Sequence, residues 1–443
     1  MRKLLQFILR VLAKRVIARY RPTVVCITGS VGKTTTKEAI YAVLSSKFWV
    51  RKNIANFNNE FGVPLTVIGV DPSLSTAKLS VGNLPRLLKF WSELLKASFL
   101  FFNPFKVEYP EILVLEIAAA KPGDIDYLTD IVQPSVGVVT AVGELPVHVE
   151  FYSGPQEVIK EKSRLIESLV NNELEGGFGG LAVLNYDERF VLDMKHKSTV
   201  KVTTFGLVDS PGLIGPDIWA SDISYFMGDN TDEIGGLSFK LGYAGGFVPV
   251  RIGGLVGTHQ VYGFLAAASV GLHFGINLVD ISGAFEKVEL PYHRMNLMRG
   301  IKNSFVIDDT YNASPLSMHA ALDTLRDFAK AQKFLGVSSA IIGRRIAVLG
   351  DMRELGKYGV DAHNAIGNFA VECCDILVTV GAAGKIIADA ALGKLSGESV
   401  FSFNTSEEAK LKVREIIKEG DVILVKGSRS MKMEVVVDEI VLK

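Results

Sequence analysis

The stretch VVCITGSVGKTTTKEAI, from Val24 to Ile40, constrains this chain more than any other. Val24 to Thr28 is a β-favouring, mostly apolar run that reads as a buried strand, and Gly29-Ser30-Val31-Gly32 read as a tight turn. Lys33-Thr34-Thr35-Thr36 then open a helix that reaches to about Lys47. Strand, glycine turn and helix in that order are the geometry of a phosphate-binding loop. The glycines let backbone N–H groups approach phosphate oxygens, and the unpaired N–H groups of the first helical turn point at the anion. Lys33 would reach the β- and γ-phosphates, and the Thr34 hydroxyl would sit on Mg²⁺. Ile27 stands where the longer Walker form has its first glycine, so the match is to the shorter pattern TGxxGKTT. The chain is expected to bind a nucleoside triphosphate.

With 443 residues there is enough chain for two or three domains with substantial cores. Basic and acidic residues balance at 48 each, so no overall field draws in nucleic acid or an acidic surface. The cysteines are Cys26 and the adjacent Cys373 and Cys374, which have neither metal spacing nor a disulfide framework; a reducing cytoplasm fits. Residues 1–22 stand apart. Leu4, Leu5, Phe7, Ile8, Val11, Leu12, Val16 and Ile17 recur near helical spacing, interleaved with Arg2, Lys3, Arg10, Lys14, Arg15, Arg19 and Arg21. The apolar runs are too interrupted to span a bilayer, and no small-residue cleavage site follows. Such a basic amphipathic helix either lies on an anionic membrane surface, at the inner face of the membrane, or packs its apolar stripe on its own domain.

Further along, asparagines including Asn58 and Asn59 crowd a loop that is either turn chemistry or the edge of an active site. Residues 71–110 read as a hydrophobic excursion with an aromatic end, a helix capping the core or a patch for a partner or membrane. ILVLE closes on Glu116 at the carboxyl end of a strand, where a Mg²⁺-binding carboxylate is expected. Shorter strands with glycine turns between about Val202 and Ile252 predict a small antiparallel sheet, and the alanines and glycines of GLVGTHQVYGFLAAASVGLHFG predict a closely packed helix. A boundary near Pro291 to Gly300 precedes a restart of strand–helix alternation. The expectation is an α/β protein: a central P-loop ATPase domain over 23–292, with a mostly parallel sheet and the antiparallel piece, then a Rossmann-like α/β domain over 293–443.

Ten segments stand in a recognisable order: TGSVGKTTTK, NNEFGVPLT, EIAAAKPGDI, HVEFYSGPQEVIKEKS, AVLNYDE, GTHQVYGFLAAA, HRMN, IDDTYNASPLSM, VLGDMRELG and VKGSRSMKME. Together they resemble the Mur ligase family, over about residues 23–443, and most of all its dipeptide-adding branch. The resemblance implies an ATP-dependent carboxylate–amine ligase that forms an amide through an acyl phosphate, adding D-alanyl-D-alanine to a muramoyl-tripeptide nucleotide in peptidoglycan precursor synthesis. It also implies a monomer with small-molecule substrates and two Mg²⁺ ions. On this chain it places Lys33, Lys162 and His148 in catalysis, and Thr34, Glu116, His148 and Lys162 on metal, with Lys162 carbamylated. A carbamate would turn that cation into an anionic oxygen ligand. Taken alone, Lys162 reads as a solvated surface lysine and His148 as an ordinary loop histidine. Gly29, Ser30, Val31, Gly32, Lys33, Thr34, Thr35, Asn185, His259, Arg294, Asp309 and Asn312 match positions around ATP. Asn58, Asn59, Asp351, His363, Lys426, Ser428 and Arg429 match positions facing substrate.

The sequence departs from the family in three places. The P-loop opens at residue 28 where the family carries a uridine-nucleotide-binding domain ahead of it, so that domain is expected to be lacking. AAAKPGD stands for the usual GANxPGE, putting Ala118 and Ala120 in place of a glycine and an asparagine. Gln260 replaces an asparagine after His259, and His293 replaces the glycine before Arg294. Two other readings stay open: a relative adding another amino acid to a non-nucleotide acceptor, and an ATP-binding scaffold without ligase activity.

Overall fold

Strand β1 (Thr23–Thr28) is buried along almost its whole length, because it lies inside a sheet with helices on both faces. The computed structural model describes residues 2–54, 57–71, 89, 92–93, 108–171, 178–209, 215–226, 235–332 and 343–442. The predicted excursion at 71–110 lies almost wholly outside these residues. The sheet continues through β2 (Val50–Lys52), β3 (Ile112–Glu116), β4 (Val136–Val139), β5 (Leu181–Asn185), β6 (Lys201–Leu207), β7 (Ile218–Phe226), β8 (Gly236–Tyr243) and β9 (Gly246–Gly253), in the order β2-β3-β1-β4-β5-β6-β7-β8-β9. Pairing is parallel as far as β7, and β7, β8 and β9 are antiparallel. The antiparallel strands therefore form the far edge of the same sheet. Strand β2 begins only at Val50, because the Phe48 N–H still donates to the Leu44 carbonyl at the end of the P-loop helix.

Alternate side chains of the strands feed two cores. Val25, Ile27, Val114 and Val138 point to the P-loop helix α2 (Lys33–Ser45), and Val24, Cys26, Leu113 and Leu115 point the other way. That second face is covered by α1 (Arg2–Tyr20), α3 (Gly62–Ile68), α4 (Asp124–Val132) and α5 (Pro155–Glu167). On the first face α2 packs against α6 (Val261–His273), the small-residue helix. A Cβ on Gly271 would come within 2.6 Å of the Val43 side chain, which is why that helix carries glycine and alanine there.

Helix α1 is docked on its own domain. Leu9, Ala13, Val16 and Ile17 are buried; Lys14 reaches Asp130 of α4 at 2.7 Å, Arg10 pairs with the same carboxylate, and Tyr20 stacks on Tyr109 with ring centroids 4.7 Å apart. Among the described residues no helix is long and apolar enough to cross a membrane.

A second sheet, of six strands, has the order β10-β11-β15-β12-β13-β14: β10 (Asn296–Arg299), β11 (Phe305–Asp309), β12 (Arg345–Gly350), β13 (Ile376–Val380), β14 (Val400–Phe403) and β15 (Val422–Lys426). All its pairings are parallel except β10 with β11. The helices Pro315–Gln332 and Gly359–Cys373 cover one face, and Ser406–Ile416 and Glu434–Ile440 the other.

Candidate active site

The carboxyl ends of β1 and β3 in the first sheet and of β11 and β15 in the second face a common cleft of about 340 Å³. It is lined by the loop Gly29–Lys33, Thr35, Asn58, Asn59, Glu116, His148, Lys162, His259, Arg294, Asp309, Asn312 and Lys426 among others. Ligands of open α/β sheets gather at such strand ends.

The loop depends on its glycines. Gly29 has φ 147°, and a Cβ there would sit 2.1 Å from the Thr140 Oγ1; Gly32 has φ 85° and caps α2 in the left-handed region. The Lys33 ammonium donates to the Gly29 carbonyl at 3.0 Å. Lys162, on α5, is buried and donates to that same carbonyl at 3.1 Å. Burial and the neighbouring Lys33 charge lower the Lys162 pKa to about 7; Lys33 is likewise lowered, chiefly by burial, with Glu116 opposing.

At the foot of the loop, the Thr34 hydroxyl donates to Glu116 Oε2 at 2.9 Å, and Asn58 Nδ2 donates to Glu116 Oε1 at 2.9 Å. This hydroxyl and carboxylate are the hard oxygen donors that magnesium takes, and the described residues hold no cluster of three or more acidic, histidine or cysteine ligands. Two protein oxygens, with water and phosphate completing the octahedron, is how Mg²⁺ is usually held, so this part of the cleft fits the ion. Lys162 and His148 do not fit a cation as they stand. An ammonium repels it, and His148 Nδ1 is paired with Glu354, which the second sheet's domain supplies. His148 has φ 67° and Glu354 φ 65°, so both halves of this pair are held in left-handed backbone.

Across the cleft, Asp309 and Lys426 are register partners on β11 and β15 and form an ion pair of 2.5 Å; Lys426 also donates to the Asn312 carbonyl at 2.8 Å. The Arg294 guanidinium lies over the Tyr311 ring, 4.0 Å from its centroid. Burial lowers His259 to about 4, keeping its ring neutral at ordinary pH. Gln260 bridges His259 and the Thr35 hydroxyl, at 3.0 Å to each. His293 sits at φ 63°, a conformation natural to the glycine it replaces, and its Nδ1 pairs with Asp308 at 2.8 Å.

Six of the expected site residues lie outside this lining: Thr34, whose hydroxyl meets Glu116 from beneath the loop, and five more. Asn185 accepts the Asp187 N–H at 3.0 Å and shapes the turn after β5. Asp351 is buried and accepts the N–H groups of Ala383 and Gly384 at 3.0 and 2.8 Å; the Ser428 hydroxyl accepts the Arg353 N–H at 2.9 Å, and Arg429 is 3.5 Å from Glu434. His363 has both ring nitrogens engaged by backbone: Nε2 accepts the Met352 N–H at 2.9 Å, and Nδ1 donates to the Gly359 carbonyl at 2.6 Å. Asn59 lines the cleft while its side chain accepts the Gly62 N–H at 3.0 Å. Sequence reasoning assigned no role to Asn53, Tyr311 or Glu354. Asn53 is fully buried and holds both backbone groups of Glu116 at 2.9 Å.

Comparison with known proteins decides the family. Residues 27–76 and 99–271 match the Mur ligase middle domain, and residues 293–429 match the Mur ligase glutamate ligase domain. The chain belongs to the Mur ligase family. It is similar to the UDP-N-acetylmuramoyl-tripeptide–D-alanyl-D-alanine ligase of Mycobacterium tuberculosis (strain H37Rv), at 30% identity over 438 residues, covering 95% of this chain and 73% of that one. The enzyme of the same description from Bacillus subtilis (strain 168) is 27% identical over 434 residues, covering 98% and 79%. Among solved structures, MurF from Acinetobacter baumannii superposes with a TM-score of 0.73 at 25% identity, over 98% of this chain and 80% of that one. This Mur ligase is thus an ATP-dependent, ADP-forming amide ligase, with Mg²⁺ typical of its family.

Proposed function

We propose that this Mur ligase joins D-alanyl-D-alanine to the free carboxylate of a UDP-N-acetylmuramoyl-tripeptide, in the cytoplasm and as a monomer. What supports the substrate assignment is similarity to dipeptide-adding ligases across both sheets, 95% or more of this chain in each relative above. In this reading the acceptor carboxylate attacks the γ-phosphorus and expels ADP. The dipeptide amine then attacks the acyl phosphate carbonyl, loses its proton and displaces phosphate. Mg²⁺, when bound, supplies charge neutralisation for the triphosphate.

The chain's own groups have the following roles in this proposal. The Gly29–Gly32 amides and Lys33 cradle the β- and γ-phosphates, and Thr34 with Glu116 hold the ion, Asn58 fixing the carboxylate. Neutral His259, Arg294, Asp309 and Asn312 surround the nucleotide from the far wall. Lys162 reacts as its neutral amine with carbon dioxide: the nitrogen bonds to the carbon, one proton leaves, and an anionic carbamate results. Burial and Lys33 favour that neutral amine. With His148, the carbamate would supply the oxygen and nitrogen donors of a second Mg²⁺ site.

The test is phosphate release from ATP with Mg²⁺ and bicarbonate, given the muramoyl-tripeptide nucleotide, the dipeptide, or both. Release that needs both, with the pentapeptide product seen by mass, supports the assignment. Release with the dipeptide and another acceptor overturns the acceptor; no turnover despite ATP binding overturns the ligase role.

A further inference from the structure

Helix α1 has an outer face as well as a docked one. With about 3.6 residues per turn, Leu4, Phe7, Val11 and Ala18 fall on the side opposite Leu9, Ala13, Val16 and Ile17. The second set is buried in the domain, whereas Leu4 is 63% and Phe7 62% exposed. Lys3 and Arg15, both exposed, flank this outer stripe on its two sides. No acidic residue occurs in the helix; Arg2 pairs with Glu60, and Arg10 and Lys14 with Asp130, which leaves Lys3 and Arg15 as the cations beside the stripe that no carboxylate among the described residues is shown to meet. The outer face is therefore a narrow apolar ridge between cations, on a helix the fold holds rigidly by its other side.

We infer that this face seats the enzyme on an anionic bilayer surface, with Leu4 and Phe7 inserted at the headgroup boundary and Lys3 and Arg15 on lipid phosphates. Charge complementarity selects this occupant: a ridge flanked by cations suits a negative surface, and shallow insertion of two large side chains suits an interfacial helix. A second copy would bring the same cations against these. The ridge is also too small for the roughly 800 Å² per partner that a stable protein interface buries. Since insertion and charge each contribute modestly, the binding is reversible and weakens with salt.

The full-length protein is floated with vesicles of phosphatidylcholine alone and of phosphatidylcholine mixed with phosphatidylglycerol. It is expected to float with the mixed vesicles at low salt and to stay behind with the neutral ones. Lys3→Gln/Arg15→Gln is expected to weaken partition roughly thirtyfold, about fivefold per basic residue. Leu4→Ser/Phe7→Ser should abolish flotation while leaving the melting temperature in place, since both side chains are exposed. The inference is overturned by equal binding to both vesicle types, by no binding at low salt, or by undiminished binding of the Leu4/Phe7 variant, which would place the contact elsewhere. A dimer in sedimentation that the Phe7 change dissolves would make a second copy the occupant and also overturn it.

Discussion

Lys33 and Lys162 share one acceptor: both ammonium groups donate to the Gly29 carbonyl, at 3.0 and 3.1 Å. Two cations on one carbonyl oxygen, away from water, are an unfavourable pair unless one is neutral or the site receives an anion. Burial lowers both, with Glu116 opposing at Lys33 and Glu161 at Lys162, and Lys162 is brought to about 7. In the proposed mechanism the two otherwise similar side chains part company, Lys33 to the phosphates and Lys162 to the carbamate.

If Lys162 carries a carbamate, activity depends on carbon dioxide and on pH in a definite direction. Only the neutral amine reacts, so activity and bicarbonate response should fall as pH drops through about 7 and recover as it rises. Carbon-13 bicarbonate should give a carbamate resonance in the wild type. Lys162→Arg keeps the charge but cannot form the carbamate, and it should lose the resonance and about a thousandfold of turnover. A fully active Lys162→Arg enzyme would refute the assignment.

Glu116 and Thr34 are expected to separate magnesium from nucleotide affinity. Glu116→Gln keeps the hydrogen-bonding shape but weakens the oxygen donor, so the Mg²⁺ concentration for half-maximal turnover should rise about 10- to 100-fold. Nucleotide binding measured without metal should change little, because Lys33 and the loop amides are untouched. A loss of metal-free nucleotide binding equal to the loss of turnover would count against a metal role.

Glu354 reaches His148 from the other domain. Glu354→Gln should lower kcat about tenfold, as loss of a carboxylate orienting a ligand histidine typically does, and leave the ATP dissociation constant unchanged. Equal changes in both quantities would assign Glu354 a purely structural role.

The His293–Asp308 pair predicts a pH-dependent stability. Asp308 raises the His293 pKa above its usual value, so the stabilisation is fully present below the ordinary histidine pKa and is lost as pH rises through the raised one. His293→Gly removes the pair but relieves left-handed strain, about 1 kcal/mol for a non-glycine residue. The variant should melt below wild type at about pH 6 and match or exceed it at about pH 8.5. A deficit that grows with pH would exclude this account.

The geometry of the loop was legible because it is contiguous: the strand, the glycine turn and the lysine and threonines that open α2 follow one another in the chain. The place of Glu116 in the cleft was legible for a related reason, as an acidic residue ending an apolar strand. Other contacts depend on distant pairing. Lys426 reads in sequence as a cation available to an anion, and only the register of β11 with β15 gives it Asp309. His363 lies in a motif-rich segment, yet its two nitrogens serve backbone groups, a use that sequence does not distinguish from ligand contact. In sequence both faces of helix α1 carry apolar residues, which suits either a membrane or its own domain; the burial of Leu9, Ala13, Val16 and Ile17 shows which face docks.

Asn53 shows the same limit and gives the last prediction. In sequence it is one asparagine among several in a loop, and its partner Glu116 lies far along the chain. In the fold its side chain is fully buried, accepts the Glu116 N–H, and donates to the Glu116 carbonyl and, at 3.1 Å, to that of Phe57. It fixes the strand end that presents the Glu116 carboxylate. Asn53→Ala leaves those buried backbone groups without partners, at about 1–3 kcal/mol of stability. Urea unfolding should show that loss, and the Mg²⁺ requirement should rise in parallel as Glu116 loses its fixed backbone. A variant that loses stability with an unchanged Mg²⁺ requirement would mean that Thr34 and Asn58 alone hold the carboxylate in place.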